Sequence, residues 1–257
     1  MGESLSTWTP SCNGAVRVEL SGQRTTSDSG ALLLREALDN SGVIEALEDN
    51  LVDQRSPLRI HHSLASQLRT LVLQRALGWI DLSDTDSLRR DPLWQLACSD
   101  ARGMTPLAQD RPSQATLSRL LTCLGRNDNI DVVHEGLLRL VLWRLTSLKN
   151  GERPRQLTLD IDGLPIEVHG HQGGSAYHGL YGARIYSPLV ASLAETGDMV
   201  GGLLREGNAG PAENADTWIP HLVRRLNEST GAQVRVRIDA GFTDNARAGH
   251  GAASRYR

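Results

Sequence analysis

The chain is almost without lysine. Lys149 is the single one among 27 strong bases, and all the others are arginine. Arginine grips phosphate in a bidentate fork, but a GC-rich coding bias gives the same skew, so this scarcity alone assigns no partner. Cysteine is scarce too. Cys12, Cys98 and Cys123 lie far apart and form no C-x-x-C pair. That excludes a zinc-ribbon pattern and a disulfide framework, and it fits reduced thiols in a cytoplasmic protein. No apolar run approaches membrane-spanning length, and the N-terminus has no signal-peptide core, so no membrane partner is expected. Asn227-Glu228-Ser229 matches a glycosylation sequon without the secretion signal that would give it meaning. The net charge of -3 gives no global excess of positive charge for binding a polyanion.

What is present divides in two. At 257 residues the chain can bury one large core or two modest ones. Charge is uneven. Between residues 111 and 156, eight bases (Arg111, Arg119, Arg126, Arg139, Arg144, Lys149, Arg153, Arg155) meet four acids (Asp128, Asp131, Glu135, Glu152), a local net of +4. Such a stretch fits a polyanion partner or a solvated helix face.

Residues 1–26 read as a polar arm with a short strand over 15–20. Residues 27–150 read as helices. Asp28 or Ser29 caps a helix carrying Leu32, Leu33, Leu34 and Leu38, and Asn40-Ser41-Gly42 ends it. Val43, Ile44, Leu47 and Leu51 suit a second. The strongest helical stretch is 62–79, with Leu64, Leu68, Leu71, Val72, Ala76 and Leu77 inward. His61 and His62 at its start read as an exposed helix end. Asp81, Asp84, Asp86 and Asp91 have a calcium-like spacing, but no glycine or closing glutamate follows in register. Pro92 opens a short helix through Trp94 and Leu96. In Arg111-Pro112-Ser113-Gln114-Ala115-Thr116-Leu117-Ser118-Arg119, Ser113 caps a helix with short polar groups near its N-terminus. That is how a helix-turn-helix recognition helix is dressed; the plainer alternative is an amphipathic helix buried through Leu117, Leu120 and Leu121. A long helix over 130–148, with Val133, Leu137, Leu140, Val141 and Leu145 inward, stops at Lys149-Asn150-Gly151.

Beyond Gln156 the periodicity changes. In Gln156-Leu157-Thr158-Leu159-Asp160-Ile161-Asp162-Gly163 the apolar residues alternate with Asp160 and Asp162, so both carboxylates share one face of a strand. Val234-Arg235-Val236-Arg237-Ile238-Asp239-Ala240-Gly241 repeats the pattern and ends in another acid. Acids at the ends of buried strands need a cationic partner, and a divalent metal is the usual one. Residues 168–182 read as a loop rich in glycine and histidine. Residues 183–193 and 199–205 read as strands joined by the turn Glu195-Thr196-Gly197-Asp198. Residues 217–226 read as a helix with Trp218, Ile219, Leu222, Val223 and Leu226 on one face, and Pro220 is tolerable only in its first turn or as a kink. The expected order is a three-strand meander, a helix, and a strand that returns in parallel beside the first. Asp162 and Asp239 then meet at one metal site.

These motifs together resemble a DDE transposase of bacterial insertion sequences, with a ribonuclease-H-like catalytic domain. The resemblance runs from about residue 20 to Asn245. It is carried by Leu159-Asp160-Ile161-Asp162-Gly163, Val168-His169-Gly170-His171-Gln172, Tyr177-His178-Gly179-Leu180-Tyr181-Gly182, Leu204-Arg205-Glu206-Gly207-Asn208 and Ile238-Asp239-Ala240-Gly241-Phe242, with the Arg111–Leu117 stretch in the helical half. It implies that Asp162 and Asp239 are the first two acids of the triad, holding Mg²⁺ or Mn²⁺ against a DNA phosphodiester. Asp160 is the rival first acid; Asp162 is preferred because the family's first acid is commonly followed by Gly, Ser or Thr. The resemblance also implies DNA as partner, at transposon terminal inverted repeats. Arg111, Gln114, Thr116, Ser118, Arg119, His169 and His171 are candidate DNA contacts, His178 is a further one, and a homodimer is an open option. The implied fold is a mixed α+β or α/β one. A helical DNA-binding domain (27–150) is followed by an incomplete ribonuclease-H-like mixed-sheet domain (151–245) and an irregular tail (246–257).

The family's third acid, a glutamate, should follow well after Phe242, and none does. The sequence therefore reads as a transposase truncated before its third acid, without strand transfer or hydrolysis. Two other readings stand beside it. A non-catalytic DNA-binding protein that inhibits a full-length transposase would need only the helical half. A haloacid-dehalogenase-like phosphatase would use Asp160 as nucleophile and Asp162 as general acid, but it would also want a lysine downstream of Lys149, and there is none. The plainest outcome is a product that folds poorly and leaves an open sheet edge.

Overall fold

The computed structural model describes residues 7–19, 28–103, 105, 110–148 and 154–239. The chain divides into two compact units, Met1–Gly136 and Leu137–Arg257. The expected helix stop at Lys149-Asn150-Gly151 lies outside the described residues, as does the tail beyond Asp239. Among the described residues, no helix is long and apolar enough to cross a membrane.

The first unit is helical. It contains α1 (Gly30–Ser41), α2 (Val43–Asn50), α3 (Leu64–Ala76), α4 (Asp84–Leu88), α5 (Pro92–Cys98), α6 (Gln114–Leu124) and the first part of α7 (Asn127–Leu148). Gly42 sits in the left-handed region at φ 63°, which lets one residue close α1 and turn the chain straight into α2. Asp91 accepts from the backbone N–H groups of Leu93 and Trp94 ahead of Pro92, so one of the four acids with calcium-like spacing is a helix cap. In place of the strand expected over 15–20, Trp8 and Val18 form an isolated antiparallel bridge.

The inward face of α3 differs from the periodicity. Val72 and Ala76 are exposed, whereas Gln67, Arg69, Thr70 and Gln74 are buried beside Leu64, Leu68 and Leu73. The reason is that α3 packs against α1, α2, α5 and α6, so nearly its whole girth is inside. Its polar groups survive there because each is satisfied. Gln74 donates to the Asp81 carbonyl and accepts from Thr85 Oγ1. Arg69 pairs with Asp39, Glu45 and Asp100. Arg35 donates to the Ala97 and Ser99 carbonyls.

The second unit is built on β1 (Gln156–Gly163), β5 (Leu189–Leu193), β6 (Met199–Leu203) and β7 (Gln233–Ile238), in the sheet order β6-β5-β1-β7. β5 runs antiparallel to β1 and to β6, and β7 runs parallel to β1 after the crossover helix α8 (Ala215–Thr230). That is the meander and parallel return expected from the sequence. Leu157, Leu159 and Ile161 are fully buried against Leu189, Ala191 and Leu193. The core is closed by Leu222 and Leu226 of α8 and by Leu138, Val141 and Leu145 of α7. Pro220 lies inside α8 beyond the first turn and removes one helical hydrogen bond there.

Two loop and strand assignments need correction. Residues 166–186 carry a second sheet, β2 (Ile166–Glu167), β4 (Ala183–Tyr186) and β3 (Ala176–His178), in the order β2-β4-β3. Strands of two and three residues are too short for a period-two signal, so the stretch reads as loop. The strand expected over 183–193 is two strands in two sheets. Ser187-Pro188 separates them, and the Pro188 carbonyl accepts from Leu164 N at 2.9 Å, tying the exit of β1 to the step between sheets.

Candidate metal and DNA site

The parallel register of β1 and β7 pairs Asp160 with Arg237 and Ile161 with Ile238. One residue further along stand Asp162, still on β1, and Asp239, just past the end of β7, both exposed. Ile161 points into the core, so its neighbours Asp160 and Asp162 share the opposite face. Gly163 then ends the strand, and the small sheet begins at Ile166.

The two β1 acids have different surroundings. Arg237 grips Asp160 in a fork, Nε donating to Oδ1 at 2.6 Å and Nη2 to Oδ2 at 2.5 Å. The Asp160 side chain is 18% exposed and that of Arg237 is 70% exposed. The hydrogen bonding that Arg237 donates to Asp160 is the main cause that holds the Arg237 pKa above its ordinary value, with the negative charge of Asp160 next and that of Asp162 a smaller contribution. Asp162 is exposed, and among the described residues no group donates a hydrogen bond to its side chain. Arg237 joins the acids because its place two residues before Asp239 on an alternating strand puts it on their face.

The small sheet carries the remaining motifs. His169 and His171 are exposed in the loop between β2 and β3. His178, at the end of β3, is half-buried, and its ring lies 4.9 Å from that of Tyr181. Tyr177, Leu180 and Tyr181 are largely exposed. In the Leu204-Arg205-Glu206-Gly207-Asn208 motif, Arg205 and Gly207 hold the local backbone, while Leu204, Glu206 and Asn208 are exposed. Arg205 is buried and donates to the carbonyls of Ser187, Gly210, Pro211 and Glu213, and burial pushes its pKa down. Gly207 N donates to Gly174 O at 3.1 Å, and a Cβ at Gly207 would lie 2.0 Å from the Ile185 carbonyl oxygen. Only glycine lets the chain pass so close to β3 and β4.

The residues singled out in the helical half do not form one surface. Ser113 caps α6 as expected, its Oγ accepting from Thr116 N. Gln114, Ser118 and Arg119 are exposed and Thr116 is half-buried, but Arg111 is buried at 3% exposure. Leu117 and Leu120 face the core, whereas Leu121 is 40% exposed, so the buried stripe is narrower than expected.

Among the described residues, no cluster of three or more His, Cys, Asp and Glu side chains is placed to hold a metal ion. Asp162 and Asp239 therefore stand as a pair in the described part of the chain. No curated protein and no solved structure matches the chain. A family model does: the transposase DDE domain, group 1, matches residues 9–248, and the chain thus belongs to the DDE transposases.

Proposed function

We propose that Asp162 and Asp239 are the first two acids of the DDE triad and that the chain acts on DNA through a divalent metal held by them. The observation that carries this is the β1–β7 register, which sets both acids at the same level of two adjacent parallel strands in a mixed sheet of ribonuclease-H-like order. Adjacent strands lie about 4.8 Å apart, so one ion can reach both carboxylates. Hard carboxylate oxygens suit Mg²⁺ or Mn²⁺. Domains of this family use divalent ions, and a bound ion would activate water or a 3′ hydroxyl and stabilise the leaving oxygen. Asp162 is the better first acid because the Arg237 fork already neutralises Asp160.

The helical unit is assigned to DNA, with the terminal inverted repeats of an insertion sequence as the target class. With two acids of the triad assigned, Asp160 taken by Arg237, and no group of three or more His, Cys, Asp and Glu side chains placed to hold a metal among the described residues, this polypeptide is expected to bind such DNA without cutting it. The test is binding and nicking of inverted-repeat DNA by the purified chain, with and without Mg²⁺, beside Asp162→Ala and Asp239→Ala. Binding without nicking supports the reading. Nicking abolished in both variants shows a complete site with an unassigned carboxylate. Nicking that survives both substitutions removes these acids from the chemistry, and absence of DNA binding removes the transposase reading.

A further inference from the structure

The helical unit carries a basic cleft that the metal site does not use. One wall is the segment joining α2 to α3, with Arg55, the exposed turn Pro57–Arg59 and His62. The other is a stripe of α6, Thr116, Arg119 and Cys123, spaced at one helical turn. The cleft encloses about 820 Å³.

Its charges sort into those already satisfied and those left open. Asp53 is the one carboxylate among the lining residues, and Arg55 holds it in a fork with contacts of 2.7 to 2.9 Å. That fork is the main cause holding the Asp53 carboxyl below its ordinary pKa. Arg126, at the cleft's end, is tied to Asp128 and Gln54. In the pocket alongside, Asp100 and Asp110 are taken by Arg69 and Arg89. Arg59 and Arg119 differ from all of these. They stand on opposite walls, both are exposed, and among the described residues neither side chain makes a hydrogen bond or an ion pair. His62 lies in the same positive field. Burial lowers its pKa first, then the charges of Arg111, His61 and Arg89, against a smaller upward pull from Asp110.

We propose that this cleft seats a DNA sugar–phosphate strand, with Arg59 and Arg119 gripping phosphates from opposite walls and reading no bases. This rests on the transposase reading above, which requires the chain to hold DNA, and it adds where and by which contacts. Guanidinium forks match phosphate oxygens bidentately. A helix stripe that faces a second wall suits backbone contact better than entry into a major groove, where a recognition helix must stand proud.

The test is the salt dependence of binding by the full chain to two duplexes, one carrying an insertion-sequence terminal repeat and one of unrelated sequence. Arg59→Gln/Arg119→Gln is compared with wild type and with Arg75→Gln/Arg90→Gln, which removes the same charge from exposed positions of the same unit. Thermal melting checks that both variants fold. The cleft variant is expected to bind both duplexes roughly tenfold or more weakly, and its plot of log affinity against log salt should flatten by about 2, near 0.9 per lost phosphate contact. The control variant should match wild type. A loss confined to the repeat-bearing duplex means base reading and overturns the proposal, as does an equal loss in the control. Wild-type binding that the cleft variant retains overturns the cleft alone. A wild-type chain that binds neither duplex overturns the cleft together with the transposase reading.

Discussion

Arg237 on β7 holds both carboxylate oxygens of Asp160 on β1, bridging the two parallel strands at a paired position two residues before Asp162 and Asp239. The fork has two consequences. It ties the two strands together beside the two outer acids, and it occupies both oxygens of Asp160 with a cationic partner.

Asp160→Asn and Arg237→Gln should each lower the melting temperature slightly, and the double variant should be close to either single one. Because Arg237 is 70% exposed, the coupling is screened, and it should shrink as salt rises. A double-mutant cycle by thermal melting at low and high salt checks this. Additive effects at low salt would show that the fork does not hold the strands.

Gly207→Ala should damage the small sheet specifically. Its Cβ would lie 2.0 Å from the Ile185 carbonyl oxygen and 2.6 Å from Ala176 N, and backbone cannot swing aside as a side-chain tip can. A cost of about 3 kcal/mol in chemical denaturation is expected, the upper end of overpacking penalties. Gly201→Ala is the milder comparison, since its nearest neighbour is Leu222 Cδ2 at 3.1 Å. Equal costs at the two sites would mean that β3 and β4 do not hold Gly207 as described.

How much of this was legible in the sequence follows from the length of each signal. β1 and β7 are six to eight residues long and alternate cleanly, so their pairing and the place of Asp162 and Asp239 could be read in advance. α8 and the β5–β6 hairpin were legible for the same reason. β2 and β3 were not, because two or three residues carry no period. The break at Ser187-Pro188 did carry a signal, since proline interrupts a strand, but the strand residues on either side of it made the stretch read as one strand. On α3 the apolar period misled, because tertiary packing encloses the helix and buries Thr70 and Gln74, whose partners lie at Ser66, Asp81 and Thr85. Arg237 could have been read from the alternation of β7. Arg119 was legible as a candidate DNA contact, but its partnership with Arg59 was not, since the two residues are far apart in the chain and come together only as linings of one cleft.

Cys98 should report on the core of the first unit. Burial, partly offset by a hydrogen bond involving Thr70, pushes its pKa up to about 12 from an ordinary 9.0. A raised folded-state value means that above pH 9 the unfolded chain binds fewer protons than the folded one. The stabilisation is fully present below pH 9 and is lost as pH rises toward 12. Within that window wild type should lose up to about 1.4 kcal/mol more per pH unit than Cys98→Ala, read from denaturant midpoints. Identical pH dependence in the two chains would show that the thiol is not held neutral by burial.

The central claim is that Asp162 and Asp239 share one metal ion, and Mn²⁺ titration followed by electron paramagnetic resonance tests it most directly. Wild type and Asp160→Asn should bind Mn²⁺ alike, while Asp162→Asn and Asp239→Asn should each lose the site with their folds intact. Binding that survives in the Asp162→Asn/Asp239→Asn double variant, or that is lost only in Asp160→Asn, would contradict it.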